Sequence, residues 1–98
     1  MKTLTDIANE IQAHINSCGG FISQWYVGIA KDPVDRLFID HQVSEANDSY
    51  IARDCTTATN ARTIEKYFLD KGADGGTGGG SYDTRFVYAY RKTLTTKP

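Results

Sequence analysis

The sequence predicts an α+β domain with a small three-stranded, mainly antiparallel sheet flanked by helices. Helical and strand-like hydrophobic patterns alternate along the chain in the order α-β-α-β-α-β. The chain has 98 residues, enough for one hydrophobic core but not for two. Short strands separated by amphipathic helices bury their apolar surface when the helices cover the sheet. We therefore treat residues 1–98 as a single domain.

The first helix is predicted over residues 3–17. Thr3 is placed to cap its N-terminus, and Asp6 stands three residues later, where a carboxylate can return the cap bond. Gly19 and Gly20 then stop the helix. The buried face of this helix is formed by Leu4, Ile7, Ala8, Ile11 and Ile15.

Phe21 to Ala30 is predicted to be the first strand, because aromatic and β-branched residues dominate it. Gly28 interrupts the strand, which indicates a bulge or a close approach to the backbone. Asp32 and Pro33 then have the chemistry of a helix start. The predicted helix spans about 33–41, and its apolar face comprises Val34, Leu37, Phe38 and His41.

The second half of the chain adds two strands and one helix. Residues 49–55 alternate as a strand does, and residues 58–71 show the period of a helix. A glycine-rich loop over 72–80 cannot hold regular structure by itself, and it is expected to be either a mobile loop over the site or slack before the last strand. Residues 86–90 form a clear third strand, and the tail 93–98 is predicted to fray.

Charge, hydropathy and cysteine content limit the function classes. The net charge is −1, so a nucleic-acid site would have to be a local basic patch. There is no apolar run of transmembrane length, so no membrane partner is expected. Neither Cys18 nor Cys55 has a partner at metal-ligand spacing. Reduced thiols in a cytoplasmic protein are expected, although the sequence leaves one disulfide open.

Two segments carry a family resemblance. Tyr26-Val27-Gly28, followed after seven residues by Arg36-Leu37 and then by His41, resembles the second half of the GIY-YIG nuclease motif. The histidine stands one place later than is usual in that family. The segment from Ala61 to Glu65 resembles the family's helix with its metal-binding glutamate. The resemblance covers roughly residues 24–72.

The resemblance implies a site and a reaction. Glu65 would bind one divalent ion, Mg²⁺ or Mn²⁺, and Arg36 would clamp the phosphate, because guanidinium forks onto two oxygens. Tyr26 would position or deprotonate the attacking water, and His41 would relay a proton or orient water. The implied substrate is nucleic acid, with DNA first, and further contacts are expected from Arg53, Arg62 and Lys66.

The family's first motif, Gly-Ile-Tyr on a preceding strand, is absent from its usual place, which here is the end of the first helix. We hypothesise that the C-terminal strand occupies the missing strand's position beside Tyr26, as in a circular permutation. Tyr88 would then enter the site from the other end of the chain. Placement of both Tyr88 and Tyr90 far from Tyr26 and Arg36 would reject this hypothesis.

Three function classes follow. The first is a GIY-YIG-like phosphodiester hydrolase that uses one divalent metal. The second is a catalytically degenerate binding or interaction module of a phage or bacterial system. The third is a small structural protein with an accidental likeness, because each residue taken singly has an ordinary structural explanation. A domain this small would need a partner or a homodimer for tight binding, and an exposed strand over 86–90 could pair two chains.

Overall fold

The computed structural model describes residues 2–76 and 84–98, so residues 77–80 of the glycine-rich loop lie outside the described part. The fold is α+β with a three-stranded antiparallel sheet, as predicted. In chain order the elements are helix α1 (Leu4–Cys18), strand β1 (Trp25–Ala30), helix α2 (Pro33–Asp35) continued by a π-helix (Arg36–Asp40), strand β2 (Tyr50–Asp54), helix α3 (Ala58–Asp70) and strand β3 (Phe86–Arg91).

Side-chain caps fix where the helices begin. Thr3 and Asp6 form the predicted capping box at the start of α1. The Asp32 carboxylate accepts two backbone N–H groups at the start of α2, and the Thr57 hydroxyl accepts one at the start of α3. These helix starts could be predicted because capping depends on local chemistry alone.

The sheet has the order β1-β3-β2, so the last strand of the chain is its centre. In the antiparallel register with β1, Tyr90 lies opposite Tyr26 and Tyr88 opposite Gly28. On the other side, Tyr88 lies opposite Ala52. The prediction that the C-terminal strand lies beside the strand of Tyr26 is therefore confirmed.

Each face of the sheet carries its own apolar cluster. Helices α1 and α3 cover one face, where Ile11, Trp25 and Phe68 are completely buried. The π-helix covers part of the other face, where Leu37 packs with the tyrosines of β1 and β3. The predicted apolar face of residues 33–41 is only partly correct, since Val34 is 58% exposed.

Both edges of the sheet are covered. Asp74 exchanges two backbone hydrogen bonds of 2.8 Å with Trp25 and Val27 along the outer edge of β1. On β2, the Arg53 guanidinium donates to the outward-facing Ala52 carbonyl at 2.9 Å. Because β3 is central, residues 86–90 do not form an edge strand, and the condition for pairing two chains through them is not met.

Two local differences from the predictions have physical causes, whereas the predicted free cysteines are confirmed. Residues 22–24 form a 3₁₀ turn rather than a strand, because the Gln24 side chain accepts the Phe21 N–H at 2.9 Å. Residues 93–98, predicted to fray, are attached to the domain by a backbone hydrogen bond from Lys97 to His41. Cys18 and Cys55 are free thiols.

Candidate functional site

One cleft of about 210 Å³ collects four of the residues predicted from the sequence. It is lined by Tyr26, Gly28, Ile29, Arg36, Glu65, Gly76 and Tyr88. These residues come from four different elements and from both ends of the chain. The cleft therefore brings a carboxylate, a guanidinium and two phenols together at the edge of the sheet.

The wall of the cleft is an aromatic cluster built by the two-residue period of β-strands. Tyr26, Tyr88 and Tyr90 project from the same face, and the Tyr26 and Tyr90 rings stack with centroids 5.3 Å apart. The His41 ring packs against Tyr26 at 4.6 Å and against Tyr90 at 4.9 Å. We call Tyr26, His41, Tyr88 and Tyr90 the tyrosine–histidine cluster.

Gly28 makes room for Tyr88. A Cβ atom at position 28 would lie 2.5 Å from the Tyr88 hydroxyl and 2.7 Å from the ring carbon that bears it. The pairing of β1 with β3 is continuous through Gly28, so there is no bulge. Of the two predicted reasons for this glycine, close approach is the correct one.

The π-helix aligns Arg36 with His41. The His41 N–H donates to the Arg36 carbonyl at 2.9 Å, a five-residue step in place of the four-residue step of an α-helix. This wider turn places His41 five residues after Arg36 along the π-helix. Both side chains lie next to Tyr88, because Arg36 lines the same cleft and His41 Nε2 lies 2.7 Å from the Tyr88 hydroxyl.

Both ring nitrogens of His41 have close neighbours, and the residue is only 7% exposed. Nε2 contacts the Tyr88 hydroxyl, while Nδ1 lies 2.6 Å from the backbone carbonyl oxygen of Lys97. The Tyr90 hydroxyl is 3.1 Å from Nδ1. The histidine thus connects the tail of the chain to a tyrosine of the cleft.

Burial keeps the tyrosines of the cleft protonated. It raises the pKa of Tyr88 to about 12, with the neighbouring Tyr26 adding to the shift and Arg36 opposing it. Burial also raises the pKa of Tyr26, although the backbone N–H of Gly76 partly stabilises the phenolate. With a pKa near 12, only about one Tyr88 side chain in 10⁵ would be ionised at neutral pH.

Glu65 is the carboxylate of the cleft. Burial raises its pKa, and the neighbouring Arg62 offsets part of that shift. A half-buried carboxylate facing a cleft would gain from a cation, and Mg²⁺ needs only one or two protein carboxylates because it keeps several waters. The described residues contain no cluster of three or more His, Cys, Asp or Glu suited to a metal. The donor set fits a hydrated ion held by a single carboxylate.

Other basic residues expected to assist lie elsewhere or are paired. Arg53 points to the helix-covered face with α1, where it forms an ion pair with Glu10 at 2.7 Å. Lys66 pairs with Asp70 at 2.9 Å, and Arg36 itself pairs with Asp40 at 3.3 Å. Arg53 is therefore not part of the cleft, and the positive charge near it is partly neutralised.

Two backbone groups of the site were not predicted. Gly76 approaches the Tyr26 hydroxyl so closely that a Cβ would lie 2.9 Å from it. The Lys97 carbonyl contacts His41 from a tail whose composition indicates no structure. The glycine-rich run indicated a backbone that could approach other groups closely, as Gly76 does. No sequence feature indicates the contact of the Lys97 carbonyl with His41.

Comparison with known proteins adds no relative. No family model matches the sequence, and neither the curated proteins nor the solved structures contain a significant match. Among the described residues, none of the helices has the length and apolar content needed to cross a membrane. The functional argument therefore rests on the residues of the cleft.

Proposed function

We propose that the protein is a GIY-YIG-like nuclease that hydrolyses phosphodiester bonds of nucleic acid, DNA in the first instance, with one bound Mg²⁺ or Mn²⁺. The observation that carries the proposal is the meeting of Tyr26, Arg36, Glu65 and Tyr88 in one cleft. These four residues lie on four different elements of the fold. A cytoplasmic location belongs to the same proposal.

The strand order supports the circular permutation within this proposal. β3 lies between β1 and β2 and directs Tyr88 at Gly28, the glycine of the Tyr-Val-Gly segment. A tyrosine from the last strand thereby occupies a place beside that segment. The site would then have its two tyrosines although the Gly-Ile-Tyr motif is missing from the N-terminal half.

The cluster geometry suggests how water is activated. Free Tyr88 phenolate is too scarce to serve as the base, because the pKa of this group is about 12. A relay avoids the phenolate: the Tyr88 oxygen accepts a proton from the attacking water while its own proton passes to His41 Nε2, 2.7 Å away. The resulting hydroxide forms the new bond to phosphorus, the bond to the leaving oxygen breaks, and that oxygen takes up a proton from solvent while His41 later releases its extra proton.

The remaining groups stabilise charge and orient the substrate. Arg36 lines the cleft with Tyr88, and its guanidinium can hold two phosphate oxygens as negative charge develops. Tyr26, a neutral phenol at neutral pH, can donate a hydrogen bond to the phosphate or to the leaving oxygen. A divalent ion on Glu65 would supply Lewis-acid stabilisation of the phosphate.

A cleavage assay with matched variants tests the proposal. Fluorescently labelled single-stranded and branched DNA is incubated with wild type, Glu65→Gln and Glu10→Gln, with Mg²⁺, Mn²⁺ or a chelator. Glu10 is the control, because it lies on α1 and pairs with Arg53 and Lys2 away from the cleft. We expect metal-dependent cleavage that Glu65→Gln lowers by about 100-fold or more and Glu10→Gln leaves unchanged. Equal rates in the two variants, or no cleavage by wild type, would refute the nuclease assignment.

A catalytically inactive binding module is the second candidate, and the ion pairing of Arg36 and Lys66 favours it. A cation already paired with a carboxylate neutralises a phosphate less fully. Fewer counterions would then leave the nucleic acid on binding, so the affinity would depend weakly on salt. Fluorescence anisotropy measured at increasing salt concentration distinguishes the two candidate functions by the salt dependence of nucleic-acid binding. A shallow slope together with absent cleavage would support the binding module, whereas cleavage would exclude it.

A further inference from the structure

The tail of residues 93–98 contacts the tyrosine–histidine cluster at two points. The Lys97 N–H donates to the His41 carbonyl at 2.7 Å, and the Lys97 carbonyl lies 2.6 Å from His41 Nδ1. Thr96 is 7% exposed, and its hydroxyl accepts the N–H of Thr93 at 2.9 Å. The tail therefore presents one backbone carbonyl to one side of the imidazole ring.

This carbonyl determines which nitrogen of His41 carries the proton. A backbone carbonyl oxygen can only accept hydrogen bonds, so a contact of 2.6 Å requires a proton on Nδ1. In a neutral imidazole Nε2 is then unprotonated and can only accept. The Tyr88 hydroxyl, 2.7 Å from Nε2, must consequently be the donor in that contact.

The two tyrosines cannot set the tautomer by themselves. The Tyr90 hydroxyl lies 3.1 Å from Nδ1, and the Tyr88 hydroxyl lies beside Nε2. Each hydroxyl can either donate or accept, so each adapts to the tautomer it meets. Among these three neighbours of the ring, the Lys97 carbonyl is the one that can act only as a hydrogen-bond acceptor.

We propose that the tail is a positioning element of the site, in which the Lys97 backbone carbonyl holds His41 as the Nδ1–H tautomer. Nε2 is thereby kept open to receive the Tyr88 proton. The arrangement follows the general logic of a base oriented by a third group, with a main-chain carbonyl in the third role. The catalytic meaning of this inference rests on the proposed nuclease function, whereas the tautomer does not.

Long-range ¹H–¹⁵N spectra of the imidazole rings measure the tautomer directly. The chain has two histidines, and His14→Gln assigns their signals. We expect the Nδ1–H form for His41 in the full chain and in Lys97→Ala, which keeps the backbone carbonyl. A chain ending at Thr96 lacks that carbonyl, and we expect it to lose the Nδ1–H preference while its Trp25 fluorescence and circular dichroism show retained folding.

Tyr88→Phe provides the test in a full-length chain. If the tail sets the tautomer, this variant keeps Nδ1–H although the partner of Nε2 is gone. An Nε2–H form in wild type, a switch in Tyr88→Phe, or an unchanged tautomer in the folded truncated chain would overturn the inference.

Cleavage measurements separate this inference from the proposed function. In an active enzyme, truncation at Thr96 should lower kcat by about 100-fold with KM little changed, and Lys97→Ala should retain the wild-type kcat. Loss of the tautomer without loss of kcat would overturn the positioning role. A wild type that shows the Nδ1–H tautomer but never cleaves would instead remove the nuclease assignment.

Discussion

Replacing Gly28 by alanine should displace Tyr88 from the cleft. The new Cβ would lie 2.5, 2.7 and 3.1 Å from the hydroxyl oxygen, the ring carbon bearing it and an adjacent ring carbon. Tyr88 cannot easily move away, because it is 1% exposed and its hydroxyl contacts His41. Overpacking a well-filled site costs about 1–3 kcal/mol, so we expect a loss of that size in the free energy of unfolding.

Urea unfolding provides the measurement, with the fluorescence of Trp25 as the signal. Trp25 is the only tryptophan of the chain and is completely buried. The midpoint should fall for Gly28→Ala while the slope of the free energy against urea stays constant. An unchanged midpoint would mean that Tyr88 does not pack on Gly28 in solution.

A double-mutant cycle assigns the cost to the Tyr88 ring. Leucine at position 88 lacks the hydroxyl and the distal ring atoms that the new Cβ would meet, but it keeps much of the apolar side chain. In the Tyr88→Leu background, Gly28→Ala should cost less than in wild type by about 1–3 kcal/mol. Equal costs in the two backgrounds would refute the packing argument, because residues in contact are expected to couple.

Three further predictions concern titration and capping. Ionisation of Tyr88 should lower the stability of the fold at alkaline pH. The pKa of Tyr88 is about 12 in the folded protein against ~10 in the unfolded chain, which corresponds to about 3 kcal/mol of unfolding free energy. This contribution is complete below pH ~10 and is lost as the pH rises to ~12. Urea midpoints measured against pH should show this fall, and Tyr88→Phe should make it smaller without removing it, because burial also raises the pKa of Tyr26, Tyr90 and Cys55. Only Cys18 should react rapidly with a thiol reagent in the native state, because Cys55 is 1% exposed and burial raises the pKa of its thiol to about 11. Cys18→Ser should remove the fast phase of the reaction. A fast phase that persists in this variant would contradict the burial of Cys55. Thr57→Ala should cost about 0.5–2 kcal/mol of unfolding free energy through the lost N-cap. Thr59→Ala, at an exposed position two residues later, should change the unfolding free energy by less, and equal losses would argue against the cap.

Local chemistry made much of the fold predictable. The caps at Thr3 and Asp32 need only neighbouring backbone N–H groups, so sequence alone identifies them. The alternation of Ile51 and Ala52 between the two sheet faces follows from the strand period that was predicted for residues 49–55. These features do not depend on how the elements are arranged in space.

Arrangement was harder to predict, because hydrophobic period does not encode strand order. The place of β3 beside β1 could be hypothesised only because the resemblance lacks a tyrosine before Tyr26, and nothing in the sequence indicated that β3 is the central strand. A nine-residue helical pattern also cannot distinguish an α-turn from a π-turn, which is why the exposure of Val34 was not foreseen. The contact of the tail with His41 depends on a backbone carbonyl, and a carbonyl leaves no trace in the residue type.

The central claim is that residues from both ends of the chain form one metal-binding cleft, and paramagnetic broadening by Mn²⁺ tests it without knowledge of the substrate. In ¹H–¹⁵N spectra, low Mn²⁺ should broaden the amide signals of Gly28, Glu65 and Tyr88 and leave that of Ile11, which lies on the helix-covered face, unaffected. Glu65→Gln should abolish the selective broadening, and Glu10→Gln should preserve it. Broadening that is absent, centred elsewhere, or unchanged in Glu65→Gln would contradict the account.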